Sequence, residues 1–199
     1  YAAMIEKLDD SVGKICQTVE DLGIADHTII VFYSDNGGSE PVTDNYPLNG
    51  GKGMPYEGGS RVPLIIKWVD KIEPGSRSSV PVTGVDFYPT FVTLAHGDVA
   101  TNLDGKDIFT LVAKNDMDRD LFWHFPAYLE SYLDGGKSFR AKPYSSIRSG
   151  DWKLIYNYED KSMELFNLKE DLGESKNLSE SYPGKCEELY RKLMNWIED

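Results

Sequence analysis

The chain of 199 residues is long enough to bury a core, and 40% hydrophobic with 12% aromatic content is the composition of an ordinary globular protein. A formal net charge of -12 argues against a nucleic-acid partner, since a phosphate backbone wants a basic face, and against an anionic membrane surface. No run is long and apolar enough to span a bilayer, no charged-then-apolar leader is present, and Cys16 and Cys186 stand too far apart and too isolated to indicate a disulfide framework or a metal cluster.

Apolar residues at Tyr1, Met4, Ile5, Leu8, Val12, Ile15, Val19 and Leu22 recur every three or four positions, which predicts an amphipathic helix over residues 1–22 stopped by Gly23. The helix opens with no preceding signal, so further residues are expected upstream of Tyr1. An apolar strand follows from Thr28 to Tyr33, with His27 at its entry in a structural role. The strand ends abruptly in Ser34-Asp35-Asn36-Gly37-Gly38, and a second apolar strand runs from Val62 to Trp68. Open α/β sheets bind ligands where buried strands stop, so an acid and an amide at this place are candidate oxygen ligands.

Asp35 and Asn36 carry hard oxygen donors suited to Ca²⁺ or Mg²⁺, and the glycines after them allow a sharp turn; the same residues also read as a simple surface turn. Residues 39–54 form a polar loop in which Lys52, between Gly51 and Gly53, is either an ammonium aimed at a bound anion or a flexible surface lysine. Glu57 and Arg61 either orient Lys52 or the substrate, or form an ion pair bracing Gly58-Gly59.

Further on, a short strand is expected over Pro81 to Val85, then a helix capped by Asp86, with Pro89 in its first turn, running to about His96 and stopping at Gly97. His96 suits the negative helix end. A short helix is expected over Phe109 to Val112. The run Asn115 to Asp120 resembles a calcium loop only superficially, because its sharp-turn position is Leu121 and its closing position Ala127, so it is read as a polar linker. Leu121 to Phe125 reads as a strand, Ala127 to Lys142 as a polar loop and candidate specificity element. Tyr144 to Arg148, Trp152 to Tyr158 and Met163 to Asn167 read as an antiparallel meander. A charged loop (169–181) follows. Pro183 opens a last helix with apolar positions Cys186, Leu189, Tyr190, Leu193, Trp196 and Ile197, expected to pack on the meander. The sequon Asn177-Leu178-Ser179 has meaning only in a eukaryotic secretory setting.

Taken in order, Ser34-Asp35-Asn36-Gly37-Gly38, Gly51-Lys52-Gly53, Tyr56-Glu57-Gly58-Gly59, Arg61-Val62-Pro63-Leu64, Val85-Asp86-Phe87-Tyr88-Pro89-Thr90, Leu103-Asp104-Gly105, the run Ser146 to Ile155 and Glu164 to Leu168 resemble the second half of the type I sulfatases, the arylsulfatase-like branch of the alkaline phosphatase superfamily. The resemblance implies an α/β fold: part of an alkaline-phosphatase-like α/β sandwich (residues 1–115), then a small α+β C-terminal subdomain (116–199) of antiparallel sheet plus terminal helix. It implies cation binding by Asp35 and Asn36 and sulfate contact by Lys52, with Arg61 and His124 as further candidate substrate contacts; His124 reads equally as a packed, aromatic-flanked residue. It also implies a sulfate ester substrate, aryl sulfate or sulfated carbohydrate, and a periplasmic, secreted or lysosomal setting. The family nucleophile is a formylglycine made from cysteine in a Cys-x-Pro-x-Arg or Cys-x-Ala-x-Arg signature, which neither Cys16-Gln17-Thr18-Val19-Glu20 nor Cys186-Glu187-Glu188-Leu189-Tyr190 matches. The nucleophile and remaining metal ligands are therefore expected from a missing N-terminal half, the implied partner. Two alternatives stand beside this: a phosphatase or phosphodiesterase of the same superfamily, which would need histidines at a second metal, and a non-catalytic module binding sulfated glycans.

Overall fold

The computed structural model describes residues 1–131 and 133–199. Helix α1 (Ala2–Asp21) follows the expected apolar period, and Gly23 breaks it with a φ of +65°. After a 3₁₀ turn at Ala25–His27, strand β1 (Ile29–Tyr33) pairs antiparallel with β2 (Leu64–Trp68), Tyr33 lying opposite Leu64 and Ile29 opposite Trp68. The chain thus leaves β1 and re-enters β2 at one end of the ribbon. Everything between, including the one-turn helix α2 (Glu57–Ser60), is gathered there.

The strand expected over Pro81 to Val85 does not form, because Thr83 and Asp86 exchange a capping box that winds Gly84–Asp86 into a 3₁₀ turn. Helix α3 (Phe87–Leu94) follows, and it is His96 rather than Gly97 that takes the left-handed position, at φ +56°. Asp86 is fully buried and saturated: it accepts from the Thr83 N–H (2.8 Å), the Lys106 N–H (2.8 Å) and both ends of the Arg119 guanidinium (2.7 and 3.1 Å). Helix α4 (Ile108–Lys114) is capped by Asp107, whose carboxylate accepts from the N–H groups of Phe109 and Thr110.

In the C-terminal part, β3 (Asp120–Phe125), β6 (Tyr144–Ser149), β7 (Trp152–Asn157) and β8 (Met163–Asn167) form an antiparallel sheet in the order β3-β6-β7-β8. The stretch expected to be loop, 127–142, instead carries a small ribbon, β4 (Leu129–Glu130) with β5 (Phe139–Ala141); residue 132 of that stretch lies outside the described residues. Helix α5 (Pro183–Glu198) lies on one face of the four-stranded sheet. Its Cys186, Leu189 and Leu193 pack with Ile147, Leu154 and Leu165, and Trp196 stacks on Phe122 at 4.9 Å. Each fully buried leucine here is worth about 1.5–3 kcal/mol of transfer free energy. The other face carries Tyr144, Ile155 and Phe166, packed with Tyr56, Phe125 and Leu129. That second face looks toward the end of the β1–β2 ribbon.

Candidate functional site

Where β1 stops, Ser34 Oγ donates to the Asn36 carbonyl (3.0 Å), and Asn36 Nδ2 donates to the Gly37 carbonyl (2.9 Å), so the amide nitrogen rather than its oxygen is spent on the backbone. Gly37 N–H donates to the Gly59 carbonyl at 2.9 Å, and a Cβ at Gly37 would lie 1.6 Å from the Gly58 carbonyl oxygen. No side chain fits, which is the physical reason for glycine after Asp35-Asn36. The Lys52 loop is drawn to the same place by the Lys52 N–H donating to the Gly38 carbonyl (3.0 Å).

Asn45, which the sequence reading passed over, clamps the two loops. Its Oδ1 accepts from the Gly38 N–H (2.9 Å), while Nδ2 donates to the Gly38 and Gly50 carbonyls (3.1 and 3.0 Å). An amide has both a donor and an acceptor, so one side chain satisfies three backbone groups. Nothing in the local pattern of a polar, glycine-rich loop singles it out. The outcome is that Asp35, Asn36, Lys52 and Arg61 all line one open cavity of about 1680 Å³.

Asp35 is exposed and Asn36 half-buried at the edge of this cavity. Both offer hard oxygens, the donor chemistry that suits Ca²⁺ or Mg²⁺. Among the described residues no three His, Cys, Asp or Glu side chains gather as a complete metal site, so these two constitute half of one at most.

Behind the loop lies a buried charge cluster. Glu57, the first residue of α2, is 3% exposed, and its carboxylate lies 3.0 Å from Nζ of Lys153, itself 1% exposed on β7. Lys153 also stands 2.9 Å from Glu174 Oε1, and Glu174 Oε2 accepts from the Glu57 N–H at 2.6 Å. Arg61 is a looser partner of Glu57 at 3.5 Å, so the expected brace of the Gly58-Gly59 turn is present but secondary to Lys153. Burial pushes the Glu57 carboxyl up, yet Lys153, with Arg148 and Arg61, outweighs it and holds Glu57 below the usual carboxylate range. For Glu174 burial wins, and its carboxyl is raised despite Lys153. One ammonium cannot fully compensate two buried carboxylates, and Glu57 has Arg148 and Arg61 as further cations. Nearby, the Tyr56 hydroxyl donates to Glu164 (3.1 Å), and burial, reinforced by Glu164, raises its pKa far above the usual phenol value.

His124 is not brought to the cavity. Along β3 the side chains of Leu121, Trp123 and Phe125 face the cavity, so period-two alternation turns His124 to the opposite face. There its Nδ1 hydrogen-bonds Ser145 Oγ (2.7 Å), which in turn bonds the Tyr158 hydroxyl (2.8 Å). Neither His27 nor His96 lines the cavity, so the histidines that a second metal would require do not stand beside Asp35.

Comparison with known proteins sets this geometry in context. The sulfatase family model matches residues 1–97, and the model of the N-sulphoglucosamine sulphohydrolase C-terminal domain matches residues 51–199. A sulfatase of Formosa agariphila is 39% identical across 99% of this chain and 39% of its own length. The N-acetylglucosamine-6-O-sulfatase of Bacteroides thetaiotaomicron is 32% identical across 100% of this chain and 34% of its own. Among solved structures, Ps i-CgsB in complex with k-i-k-neocarrahexaose superposes with a TM-score of 0.84 at 32% identity, covering 98% of this chain and 42% of that one. A second, solved with its substrate D-glucosamine-2-N,6-O-disulfate, gives a TM-score of 0.76 at 26% identity, covering 100% of this chain and 40% of that one. The chain thus spans between a third and just over two-fifths of the length of these relatives.

Proposed function

Because the chain belongs to the sulfatase family, we propose that it is the C-terminal part of a sulfuric ester hydrolase and supplies half of the metal site and the sulfate-binding lysine. The observation that carries this reading is the convergence of Asp35, Asn36 and Lys52 on one cavity, held there by Asn45 and by glycine contacts too close for any side chain. Asp35 and Asn36 would hold a Ca²⁺ or Mg²⁺. Such an ion supplies positive charge at the sulfuryl oxygens. Lys52 binds a sulfate oxygen as a compact ammonium and takes up charge as the ester bond lengthens, in a site already rigid. Arg61 lies at the same cavity and adds to its positive potential. His124 is turned to the far face of its strand, away from this cavity.

The nucleophile belongs to the portion of the protein outside this chain, since neither cysteine carries the formylglycine signature; both are free thiols. The length of the relatives supports this, as does α1, whose Met4, Ile5, Leu8 and Ile15 are all exposed on its apolar side. The remaining α/β layer covers that side in the whole protein. No helix among the described residues is long and apolar enough to cross a membrane, and a periplasmic or secretory setting follows the family resemblance.

The test is turnover of 4-nitrophenyl sulfate and of a sulfated sugar with Ca²⁺, by the 199-residue chain alone and by the protein carrying the residues upstream of Tyr1. Turnover is expected only from the longer protein and is expected to be lost in Asp35→Ala and Lys52→Ala. Turnover by the short chain, or unimpaired turnover in either variant, overturns the reading. Binding of sulfated sugar through Lys52 with no hydrolysis in the longer protein would establish a glycan-binding module instead.

A further inference from the structure

Helix α2 is a single turn, and a lone turn does not hold itself, since its few hydrogen bonds cannot offset the fixing of several backbone angles. Both halves of the candidate site nevertheless lean on it. The Gly59 carbonyl accepts from the Gly37 N–H (2.9 Å), next to Asn36, and the Gly58 N–H donates to the Asn49 carbonyl (2.7 Å) in the lysine loop. A Cβ on Gly59 would lie 2.3 Å from the Met54 carbonyl oxygen and 2.7 Å from that of Gly51, so α2 abuts the chain on both sides of Lys52. A shift of this one turn moves the acid, the amide and the ammonium relative to one another.

What fixes the turn comes from the C-terminal part. Glu57 is gripped twice: Lys153 Nζ donates to its carboxylate (3.0 Å), and Glu174 Oε2 accepts from its N–H (2.6 Å), one of the amides that a helix start leaves unpaired. Tyr56, immediately before, is tied to β8 through Glu164 and packs edge-on to Phe166 at 6.3 Å. Glu174 itself sits at φ +51°, a left-handed conformation uncommon for a residue with a side chain. Its turn is closed by Asp171, which accepts from Ser175 Oγ (3.0 Å) and from the Lys176 N–H (2.9 Å). A Cβ on Gly173 would lie 2.9 Å from the Pro47 carbonyl oxygen, so this turn also meets the lysine loop.

A buried ion cluster is a weak source of stability, because its charges give up water that apolar side chains of similar volume never had. What the charges add is direction, since each bond forms only over a narrow range of distance and angle. Resting on the sulfatase reading above, we infer that Lys153 and Glu174 are positioning residues: acting through Glu57, they fix α2 and thereby the spacing of Asp35 and Asn36 from Lys52. Neither lines the cavity, so their influence on the reaction is indirect.

The experiment uses the protein carrying the residues upstream of Tyr1, with 4-nitrophenyl sulfate and a sulfated sugar as substrates, at a temperature where circular dichroism shows the variants folded. Leu189→Ala, a core change on the far face of the sheet, is the control for lost stability alone. Lys153→Met is expected to lower kcat about ten- to a hundred-fold and to raise the Ca²⁺ concentration giving half activity, with Lys153→Arg restoring part of both and Leu189→Ala staying within about twofold of the parent. If Lys153→Met does not fold, the Glu174 pair decides. Glu174→Gln keeps an acceptor for the Glu57 N–H and should hold kcat within about threefold, whereas Glu174→Ala should lose about tenfold. A loss in Lys153→Met no greater than in Leu189→Ala, or equal kcat in the two Glu174 variants, overturns the inference. If the parent turns over neither substrate, the sulfatase reading fails separately, and amide hydrogen exchange of the 199-residue chain decides. Glu174→Ala should then speed exchange at Gly37, Lys52 and Gly58 by about tenfold relative to the amides of β7. A uniform change, or none, overturns the inference.

Discussion

Helices α1 and α5 carry nearly the same message in sequence, apolar residues every three or four positions with charge opposite, yet they end differently. In α5, Leu189 and Leu193 are 0% exposed against the sheet, whereas α1 contains no buried residue and leaves Met4 72% exposed. Amphipathicity states that a face needs a cover and says nothing about whether the cover is at hand. The contrast extends to the strands: the four-stranded sheet is covered by α5 on one face, while β2 leaves Ile65 61% exposed. The C-terminal part builds its own core, and the N-terminal part presents a surface for one.

The comparison breaks most forcefully at the charge cluster joining the two parts. Lys153→Met leaves Glu57 and Glu174 buried without their ammonium and is expected to cost about 3–5 kcal/mol in urea denaturation at pH 7. Part of that loss should return on acidification toward pH 5, because protonated carboxyls tolerate burial. In the parent, the two carboxyls act in opposite directions. Glu57, held below its ordinary value of 4.5, contributes stability that is present above that pH and lost as pH falls through its depressed pKa. Glu174, raised above 4.5, is a group whose stabilising influence is full below that pH and lost as pH rises through its raised pKa. Glu174→Gln should therefore flatten the decline above pH 4.5 in a plot of unfolding free energy against pH and leave the acid limb in place.

Next in size, Leu189→Ala in α5 should cost about 2–5 kcal/mol by urea midpoint, as expected for a cavity in a closed core. Asp107→Ala, which removes the cap of α4, should cost about 0.5–2 kcal/mol in the same assay. The smallest effect sharpens the comparison most: Leu8→Ala in α1 should change the stability of the 199-residue chain by less than about 0.5 kcal/mol. In a protein carrying the upstream residues the same change should become a core substitution, and an equally small effect there would show that α1 stays uncovered.

The residues that surround the site were legible to different degrees. Asp35, Asn36 and Lys52 could be singled out because strand-end acids and glycine-flanked lysines are local patterns, and the meander and α5 because period two and period 3.6 are properties of neighbouring residues. His124 could be weighed as a site residue only while the orientation of β3 was open; once Trp123 and Phe125 face the cavity, alternation sends it away. The ribbon inside 127–142 escaped because its strands are two and three residues long, too short to show a period. Asp86 was read as a cap, while its pairing with Arg119, across 33 positions, was not.

By itself the sequence determined the family, most of the element order, the antiparallel meander with its covering helix, and which residues are candidates for metal and sulfate binding, since all of these are written in motifs and short-range spacing. Only the tertiary structure decided that Asn45 ties Gly38 to Gly50, that Lys153 neutralises Glu57 from 96 positions away, and that Arg140 and Lys52 line one small recess. The physical reason is that periodicity acts over a few residues, whereas the partner of a buried charge is chosen by which surfaces fold against each other, and no local pattern names the residue on the far side.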